Sequence, residues 1–166
     1  MGVAGAGKST VGTLLANALG VSFLEGDDLH PEDNVRRMAQ GIPLSDDDRR
    51  GWLTAIAEGI TQAHRTGTGL VIACSALKRA YRDVLRGADS DLQLVFLTGD
   101  AALLARRLSQ RGGSHFFPAS LLETQLATLE IPAPEERAWT FDVTDAPEAI
   151  VGRIMERVKA ARTATG

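Results

Sequence analysis

Two kinds of apolar pattern alternate along the chain. Largely apolar runs of strand length occur at residues 21–25, 70–74, 92–97 and 138–143, and such runs are typical of strands buried in a parallel sheet. Between them, apolar residues recur at helical spacing. The predicted helices cover residues 8–19, 31–39, 46–64, 77–87, 100–110, 119–130 and 146–162. Strands that alternate with helices predict a three-layer α/β/α fold, in which helices cover both faces of a parallel sheet.

Residues at the element ends support these boundaries. Gly20 is a plausible helix C-cap, because glycine adopts the left-handed conformation readily. Pro31 suits the first position of a helix. Ser45 and Ser75 are candidate N-caps for the helices that follow them.

The first predicted helix follows a glycine-rich loop. Residues 2–9 read Gly-Val-Ala-Gly-Ala-Gly-Lys-Ser and match G-x-x-x-x-G-K-[ST], the phosphate-binding P-loop. Glycines bring backbone N–H groups close to a phosphate, and a helix N-terminus favours an anion. Lys8 is predicted to contact the β- and γ-phosphates, and Ser9 to bind Mg²⁺. Contacts with ATP are predicted for Gly2, Gly5, Ala6, Gly7, Lys8, Ser9 and Thr10.

The alternative for this loop is a chance match in a flexible Gly/Ala-rich start, but the helix that the motif requires follows at once. A P-loop normally follows a buried strand, whereas only Met1 precedes Gly2 here. Either the true start lies upstream or the sheet lacks its central strand, and we favour the first explanation.

Composition restricts the class of protein. The 166 residues predict a single domain over 1–166, and 44% apolar with 23% charged residues is ordinary for a globular protein. A net charge of −3 argues against a general nucleic-acid or membrane-surface binder. No apolar run approaches the ~20 residues that span a bilayer, and the single cysteine, Cys74, excludes an intramolecular disulfide. We therefore expect a cytoplasmic protein.

Carboxylates follow the strand predicted at residues 21–25. Glu25, Asp27 and Asp28 lie at its carboxyl end, where open α/β sheets bind ligands. We predict that Asp27 supports the metal and hydrogen-bonds, or deprotonates, an acceptor hydroxyl. The alternative is an aspartate that caps the next helix. His30 could bind substrate or only complete the loop.

Basic residues form two further candidate regions. Arg106, Arg107 and Arg111 precede Gly112 and Gly113, a pair that suggests the hinge of a lid over about 106–130. Arg107 and Arg111 are predicted to contact the nucleotide, with Arg111 catalytic, although a solvated helix face is the alternative.

The second basic cluster begins a helix beyond a strand end. Its members are Lys78, Arg79, Arg82 and Arg86. That position could receive an anionic substrate. Asp46, Asp47 and Asp48 are explained by a helix N-terminus alone, where negative charge is favoured. Arg49, which follows them, is a candidate carboxylate binder.

Longer motifs carry a more specific signal than the P-loop. They include Glu25-Gly26-Asp27-Asp28-Leu29-His30-Pro31 and Cys74-Ser75-Ala76-Leu77-Lys78. Further matches are Asn34, Arg37-Met38, Trp52-Leu53, His115-Phe116, Leu121-Leu122, Gln125 and Leu129-Glu130. Over nearly its whole length the chain resembles the small P-loop gluconokinases, relatives of shikimate kinase and the nucleoside monophosphate kinases.

The resemblance implies ATP-dependent phosphorylation of D-gluconate at its 6-hydroxyl, with Mg²⁺, in a cytoplasmic enzyme that is commonly a homodimer. It implies a five-stranded parallel sheet with a lid and with its central strand before the P-loop. Its phosphate loop falls on Gly5, Gly7, Lys8 and Ser9. Its acceptor site falls on Asp27, His30, Arg49, Lys78 and Arg82, and its lid arginine on Arg111.

Two other functions remain open. One is a kinase of the same fold for shikimate, another small acid or a nucleoside monophosphate. The other is a nucleotide-binding module without catalysis, which the absent strand before Gly2 motivates.

Overall fold

The structure is a computed structural model that describes residues 1–110 and 120–164. Its strands are β1 Ser22–Glu25, β2 Leu70–Ala73, β3 Val95–Thr98 and β4 Trp139–Asp142. Its α-helices are α1 Lys8–Leu19, α2 Glu32–Ala39, α3 Asp46–Thr66, α4 Arg79–Ala88, α5 Ala101–Gln110, α6 Ser120–Thr128 and α7 Pro147–Ala164. Strands and helices alternate as the apolar pattern predicts. No helix within these ranges has the length and apolarity needed to cross a membrane.

The strands form two parallel pairs. β1 pairs with β2, from Ser22 opposite Leu70 to Glu25 opposite Ala73. β3 pairs with β4 in the same sense. Among the described residues these are two separate two-stranded sheets, β1-β2 and β3-β4.

The chain start lies between the two pairs. The amino group of Met1 donates to the carbonyl of Val95 at 2.5 Å, and Leu97 N–H donates to the carbonyl of Met1 at 2.9 Å. This is the bonding of a parallel ladder. On the other side, Gly2 N–H donates to the carbonyl of Ser75, just after β2, at 3.2 Å. Met1 and Gly2 therefore connect the two pairs at one end of the sheet.

Behind Met1, an apolar cavity of about 530 Å³ separates β2 from β3. We call it the interstrand cavity. It is lined by β2, by β3 and by side chains from the flanking helices. Those side chains include Leu15, Ile60, Ile154 and Val158.

Two apolar clusters form the core. One joins α1, α5 and α7 to β3 and β4, with Leu104, Val143, Ile150 and Ile154 almost wholly buried. The other packs α3 against α4, around Trp52 and Ile56. The helices thus bury one face each, which is the amphipathic arrangement that the sequence predicts.

Several element ends match their predictions. Gly20 is the left-handed C-cap of α1, with φ of 68°. Ser45 caps α3 in a capping box with Asp48, in which each side chain accepts from the other residue's backbone N–H. The backbone N–H of Gly20 and the side chains of Ser45 and Asp48 therefore satisfy backbone groups at these helix ends that would otherwise lack partners.

Three predicted boundaries need correction. Pro31 is the N-cap of α2 rather than its first residue. Ser75 does not cap α4, because α4 begins at Arg79 with Lys78 as its N-cap. The carbonyl of Ser75 instead accepts from Gly2 of the P-loop, and Ala76 is left-handed, with φ of 42°, so the chain between β2 and α4 is irregular. β3 begins at Val95 rather than at 92, because Leu92 belongs to a turn that its N–H closes on Asp89.

Candidate functional site

The glycine-rich loop has the geometry of a phosphate cradle. Gly7 is left-handed, with φ of 80°, and α1 begins directly after it. A Cβ on Gly7 would meet nothing within 4 Å, so the space above the loop is open. A Cβ on Gly5, whose φ is 81°, would lie 2.8 Å from the carbonyl oxygen of Leu104. Glycine at position 5 therefore allows the loop to pack on α5.

The loop is held by side chains as well as by its backbone. Ala4 N–H donates to Oε1 of Gln125 on α6 at 2.7 Å. The ammonium of Lys8 donates to the carbonyl of Val3 at 3.2 Å, so it lies over the loop that it follows. Ser9 and Thr10 are exposed in the first turn of α1, where no acidic side chain competes with an anion.

A second wall of the site follows β1. A 3₁₀ turn at Gly26–Leu29 carries Asp27 and Asp28. A Cβ on Gly26 would lie 2.6 Å from the carbonyl oxygen of Ala73, so the turn packs directly on the end of β2. Nε1 of Trp52 donates to the carbonyl of Gly26 at 2.7 Å. These contacts fix the turn at the carboxyl edge of the β1-β2 pair.

Lys8 and Asp27 lie near the same buried thiol. Burial raises the pKa of Cys74 to about 12. The carboxylate of Asp27 raises this pKa further, while the ammonium of Lys8 lowers it. Both charges are therefore within electrostatic reach of Cys74, the residue that follows β2.

His30 is a neutral imidazole at neutral pH. Its ring stacks on Trp52, with centroids 4.5 Å apart and planes 9° from parallel. Burial, and secondarily the charge of Arg49, lower the pKa of His30 to about 4. Its Nδ1 is buried without a hydrogen-bond partner in the part of the chain that the structure describes. An uncharged ring at this position can contact a polyol without adding a further cation.

Cationic side chains gather where α3 and α4 begin. The ammonium of Lys78 lies 2.7 Å from Oδ1 of Asp46, and the hydroxyl of Tyr81 donates to the same oxygen at 2.5 Å. The guanidinium of Arg49 lies 5.9 Å from the centroid of the Tyr81 ring, and Lys78 lies 5.7 Å from it. We call Asp46, Arg49, Lys78 and Tyr81 the Asp46 cluster.

Comparison with known proteins identifies the family. A model of the shikimate kinase family matches residues 4–159. Gluconokinase from Gluconobacter oxydans is 44% identical over 160 residues, 96% of this chain and 89% of the relative. The chain belongs to the gluconokinase family of shikimate-kinase-like P-loop kinases.

Further relatives of this family agree. Thermoresistant gluconokinase from Escherichia coli is 41% identical over 96% of this chain and 91% of its own. The crystal structure of a gluconokinase from Sinorhizobium meliloti superposes with a TM-score of 0.83 at 46% identity, covering 97% of this chain and 94% of that one. The α/β P-loop kinase fold and the predicted family are thus confirmed, and the chain is an ATP-using enzyme.

Arg82 does not join the other predicted acceptor residues of this gluconokinase-family site. Its side chain is fully buried and makes two bonds to Glu136, at 2.5 and 2.8 Å. It also donates to the carbonyls of Ala76, Leu77 and Glu130, at 3.2, 3.1 and 3.0 Å. These contacts leave no part of the guanidinium open to a substrate, because Arg82 lies on the side of α4 that faces the protein interior.

Of the two lid arginines predicted to contact the nucleotide, Arg107 and Arg111, the structure describes only Arg107. Arg107 donates to the carbonyl of Val143 at 2.7 Å, which places it beside the end of β4. Arg106 is exposed. Arg111, the predicted catalytic lid arginine, and the hinge at Gly112 and Gly113 lie outside the described residues. Within the predicted lid, α6 packs against the P-loop through Gln125.

Three residues of the site received no role from the sequence. Gln125 holds the P-loop, Trp52 holds the Asp27 turn and stacks on His30, and Tyr81 binds Asp46. Trp52 and Gln125 belong to the motifs that carry the family resemblance, which assigned them no role. The partners of Gln125 and Tyr81 are 121 and 35 residues away, a separation that no local pattern reports.

Proposed function

We propose that this enzyme transfers the γ-phosphoryl group of ATP to the 6-hydroxyl of D-gluconate, giving 6-phospho-D-gluconate and ADP. The 6-hydroxyl oxygen bonds to the γ-phosphorus, the bond from that phosphorus to the bridging oxygen breaks, and the hydroxyl proton passes to Asp27. The observation that carries the proposal is that the P-loop and the Asp27 turn both contact the carboxyl end of β2, through Gly2 on Ser75 and Gly26 on Ala73.

The nucleotide half of the proposal uses the P-loop. Backbone N–H groups of Gly5, Ala6 and Gly7, together with the N-terminus of α1, hold the phosphates. Lys8 exchanges the carbonyl of Val3 for the β- and γ-phosphate oxygens. Side chains outside the loop that approach the nucleotide are Arg107 and Arg111.

Mg²⁺ is proposed on Ser9 and Asp27. Among the described residues no group of three His, Cys, Asp or Glu side chains could hold a metal ion. That fits a cation with few protein ligands and with phosphate oxygens and water as the others, which is how Mg²⁺ commonly binds in kinases. When bound, the ion neutralises charge on the transferring phosphoryl group.

The acceptor half uses residues from three elements. Asp27 hydrogen-bonds the 6-hydroxyl and accepts its proton. Neutral His30 contacts the polyol chain, and the cations Arg49 and Lys78 bind the carboxylate. Arg82 has no part in this proposal, because its guanidinium is committed to Glu136 and to backbone carbonyls.

A coupled assay of ADP release tests this proposal. With ATP and Mg²⁺, gluconate is expected to be the best acceptor in a panel that also contains shikimate, other sugar acids and nucleoside monophosphates. The match to the shikimate kinase model makes shikimate the main competitor. Higher kcat/KM with shikimate would overturn the gluconate assignment. Binding of ATP without turnover of any acceptor would favour a non-catalytic nucleotide-binding module.

We also propose that the interstrand cavity is the place of a strand that leads into the P-loop, which would complete a five-stranded parallel sheet with a lid over about 106–130. Met1 already has the hydrogen bonds of such a strand with β3. Most of the residues that line the cavity are apolar, which suits a buried central strand.

An N-terminal extension tests the strand proposal. Joining Ile-Val-Val-Leu to Met1 is expected to raise Tm by about 5 °C or more relative to a Gly-Ser-Gly-Ser extension, because apolar residues would fill the cavity. Both extensions remove the amino group of Met1, whose pKa burial lowers to about 5, so the comparison isolates the apolar residues. Equal Tm values for the two extensions would contradict the proposal.

We propose further that the enzyme is cytoplasmic and that it is a homodimer, as the family resemblance implies. Its one cysteine is a buried free thiol, which suits a reducing compartment. Light scattering on the eluting peak of a size-exclusion column is expected to give twice the 17.7 kDa of the chain. A mass equal to that of one chain would contradict the dimer.

A further inference from the structure

The carboxylate of Asp46 occupies a site built for an anion. Lys78 donates to both of its oxygens, at 2.7 and 2.8 Å. Tyr81 donates its hydroxyl to Oδ1 at 2.5 Å. Arg49 lies over the Tyr81 ring from the side of α3. A second cation therefore faces the same position, and both hydrogen-bond donors to the carboxylate come from the start of α4.

The components of this site differ in how firmly they are held. Tyr81 is 5% exposed, so its hydroxyl remains in place and needs an acceptor. Arg49 is anchored to the carbonyl of Leu44 at 2.5 Å. The side chain of Asp46 is 61% exposed, so it can rotate into solvent without losing hydration. The fixed part of the site is thus the donor set, and the movable part is the carboxylate.

Asp46 is also dispensable to the helix that it begins. The capping box of α3 consists of Ser45 and Asp48, and the neighbouring Asp47 pairs with Arg50. Removing the charge of Asp46 therefore leaves the helix start intact. The lowered pKa of Asp46, which the hydrogen bonds from Lys78 and Tyr81 cause, agrees with an anion being the preferred occupant.

We propose that Asp46 occupies the place of the acceptor's carboxylate on Lys78 and Tyr81 and competes with it, so that an acidic acceptor binds by displacing Asp46 and Asp46 sets the affinity for such acceptors. This inference rests on the proposed function. An incoming carboxylate restores each bond that Asp46 gives up, whereas a neutral polyol cannot compensate the charge of Lys78. A neutral polyol therefore leaves Asp46 in place, and its affinity does not depend on this carboxylate.

The size of the effect follows from the exposure of the pair. Exposed ion pairs contribute up to about 1 kcal/mol, which corresponds to a factor of about five in binding. Releasing Lys78 and Tyr81 from Asp46 should therefore strengthen the binding of a carboxylate by up to about fivefold.

The test is Asp46→Asn, which keeps the shape and removes the charge. KM for gluconate is expected to fall by about two- to fivefold, while KM for ATP does not follow it. Calorimetry without ATP should show the same gain in gluconate affinity and no gain for D-glucitol, the uncharged polyol. The matched control is Asp47→Asn, one residue along the same helix, which should change neither affinity.

An unchanged or raised KM and Kd for gluconate in Asp46→Asn would overturn the proposal, because Asp46 would then only position Lys78. An equal gain for D-glucitol would also overturn it, since the effect would not depend on charge. A Tm near that of the unchanged protein verifies that the variant is folded. If the proposed function is wrong, the unchanged protein will release no ADP in response to gluconate. That result is separate from the role of Asp46, which the calorimetric comparison decides.

Discussion

At the scale of single residues, the site consists of a few charged groups that backbone contacts hold in place. Lys8 and Asp27 approach one end of the sheet because glycines allow their two loops to pack closely, at Gly5 on α5 and at Gly26 on β2. The P-loop and Asp27 could be assigned roles from the sequence because glycine spacing and a carboxylate after a strand are local patterns. The roles of Gln125 and Tyr81 could not, because their partners are far along the chain.

Removing the P-loop ammonium should damage chemistry more than folding. Lys8→Ala is expected to lower kcat/KM by ~10²- to 10³-fold, about 3–4 kcal/mol of transition-state stabilisation, because a preorganised charge on the phosphates is lost. Steady-state kinetics measure the change, and Lys159→Ala, an exposed lysine of α7, is the control. Normal turnover by Lys8→Ala would remove the lysine from the mechanism.

His30 should make the fold sensitive to mild acid. Its pKa is about 4 in the folded protein and 6.5 ordinarily. Between these values the unfolded chain binds a proton that the folded chain does not, so the free energy of unfolding decreases as pH falls from 6.5 toward 4. The loss is at most about 3 kcal/mol. Urea titrations at pH 7 and pH 5 should show it, and His30→Phe should reduce it. An equal pH dependence in that variant would contradict the assignment.

At the scale of elements, the apolar pattern predicts the α-helices and strands that the structure describes, and the errors occur where tertiary contacts decide. Ser75 fails as a cap because its carbonyl binds Gly2 and the chain stays irregular up to Arg79, with Ala76 left-handed. Arg82 fails as a substrate ligand because it ties α4 to Glu136, 54 residues away. Sequence shows a cluster of arginines on one helix but not which of them turns inward.

The Arg82–Glu136 pair should contribute strongly to stability. Glu136→Gln is expected to lower the free energy of unfolding by about 3–5 kcal/mol, because it leaves the buried guanidinium without a counter-charge. Denaturant melts measure the loss. The control is Glu135→Gln, whose partner Arg79 is half exposed, and it should change the free energy of unfolding much less, because solvent screens an exposed pair. Equal losses in the two variants would contradict the distinction between buried and exposed pairs.

The same pair should also respond to acid. Hydrogen bonds from Arg82 lower the pKa of Glu136 from 4.5 to about 2. The unfolded chain therefore takes up a proton as pH falls below 4.5, and the stability that the pair supplies is lost between pH 4.5 and 2. The loss of about 3 kcal/mol should be absent from Glu136→Gln. If Glu136→Gln loses the same stability between pH 4.5 and 2, the acid sensitivity would come from other carboxylates and the prediction would be wrong.

At the scale of the whole molecule, two parallel strand pairs share one functional edge. Met1 and Gly2 join them there, and the P-loop begins at that junction. The alternation of strands and helices predicts one parallel sheet, whereas the described strands form two parallel pairs, and the match to the P-loop predicts that a strand should lead into it. The interstrand cavity is the place that we propose for this strand, because apolar side chains of both pairs line it.

The most direct test of the account is the effect of Asp27→Asn on gluconate-dependent ADP release, with Asp28→Asn, its exposed neighbour, as the control. If Asp27 accepts the proton of the hydroxyl that receives the phosphoryl group, kcat should fall by ~10²- to 10⁴-fold while ATP still binds, and Asp28→Asn should remain active. An Asp27→Asn enzyme with unchanged kcat would contradict the claim that the P-loop and the Asp27 turn form one active site.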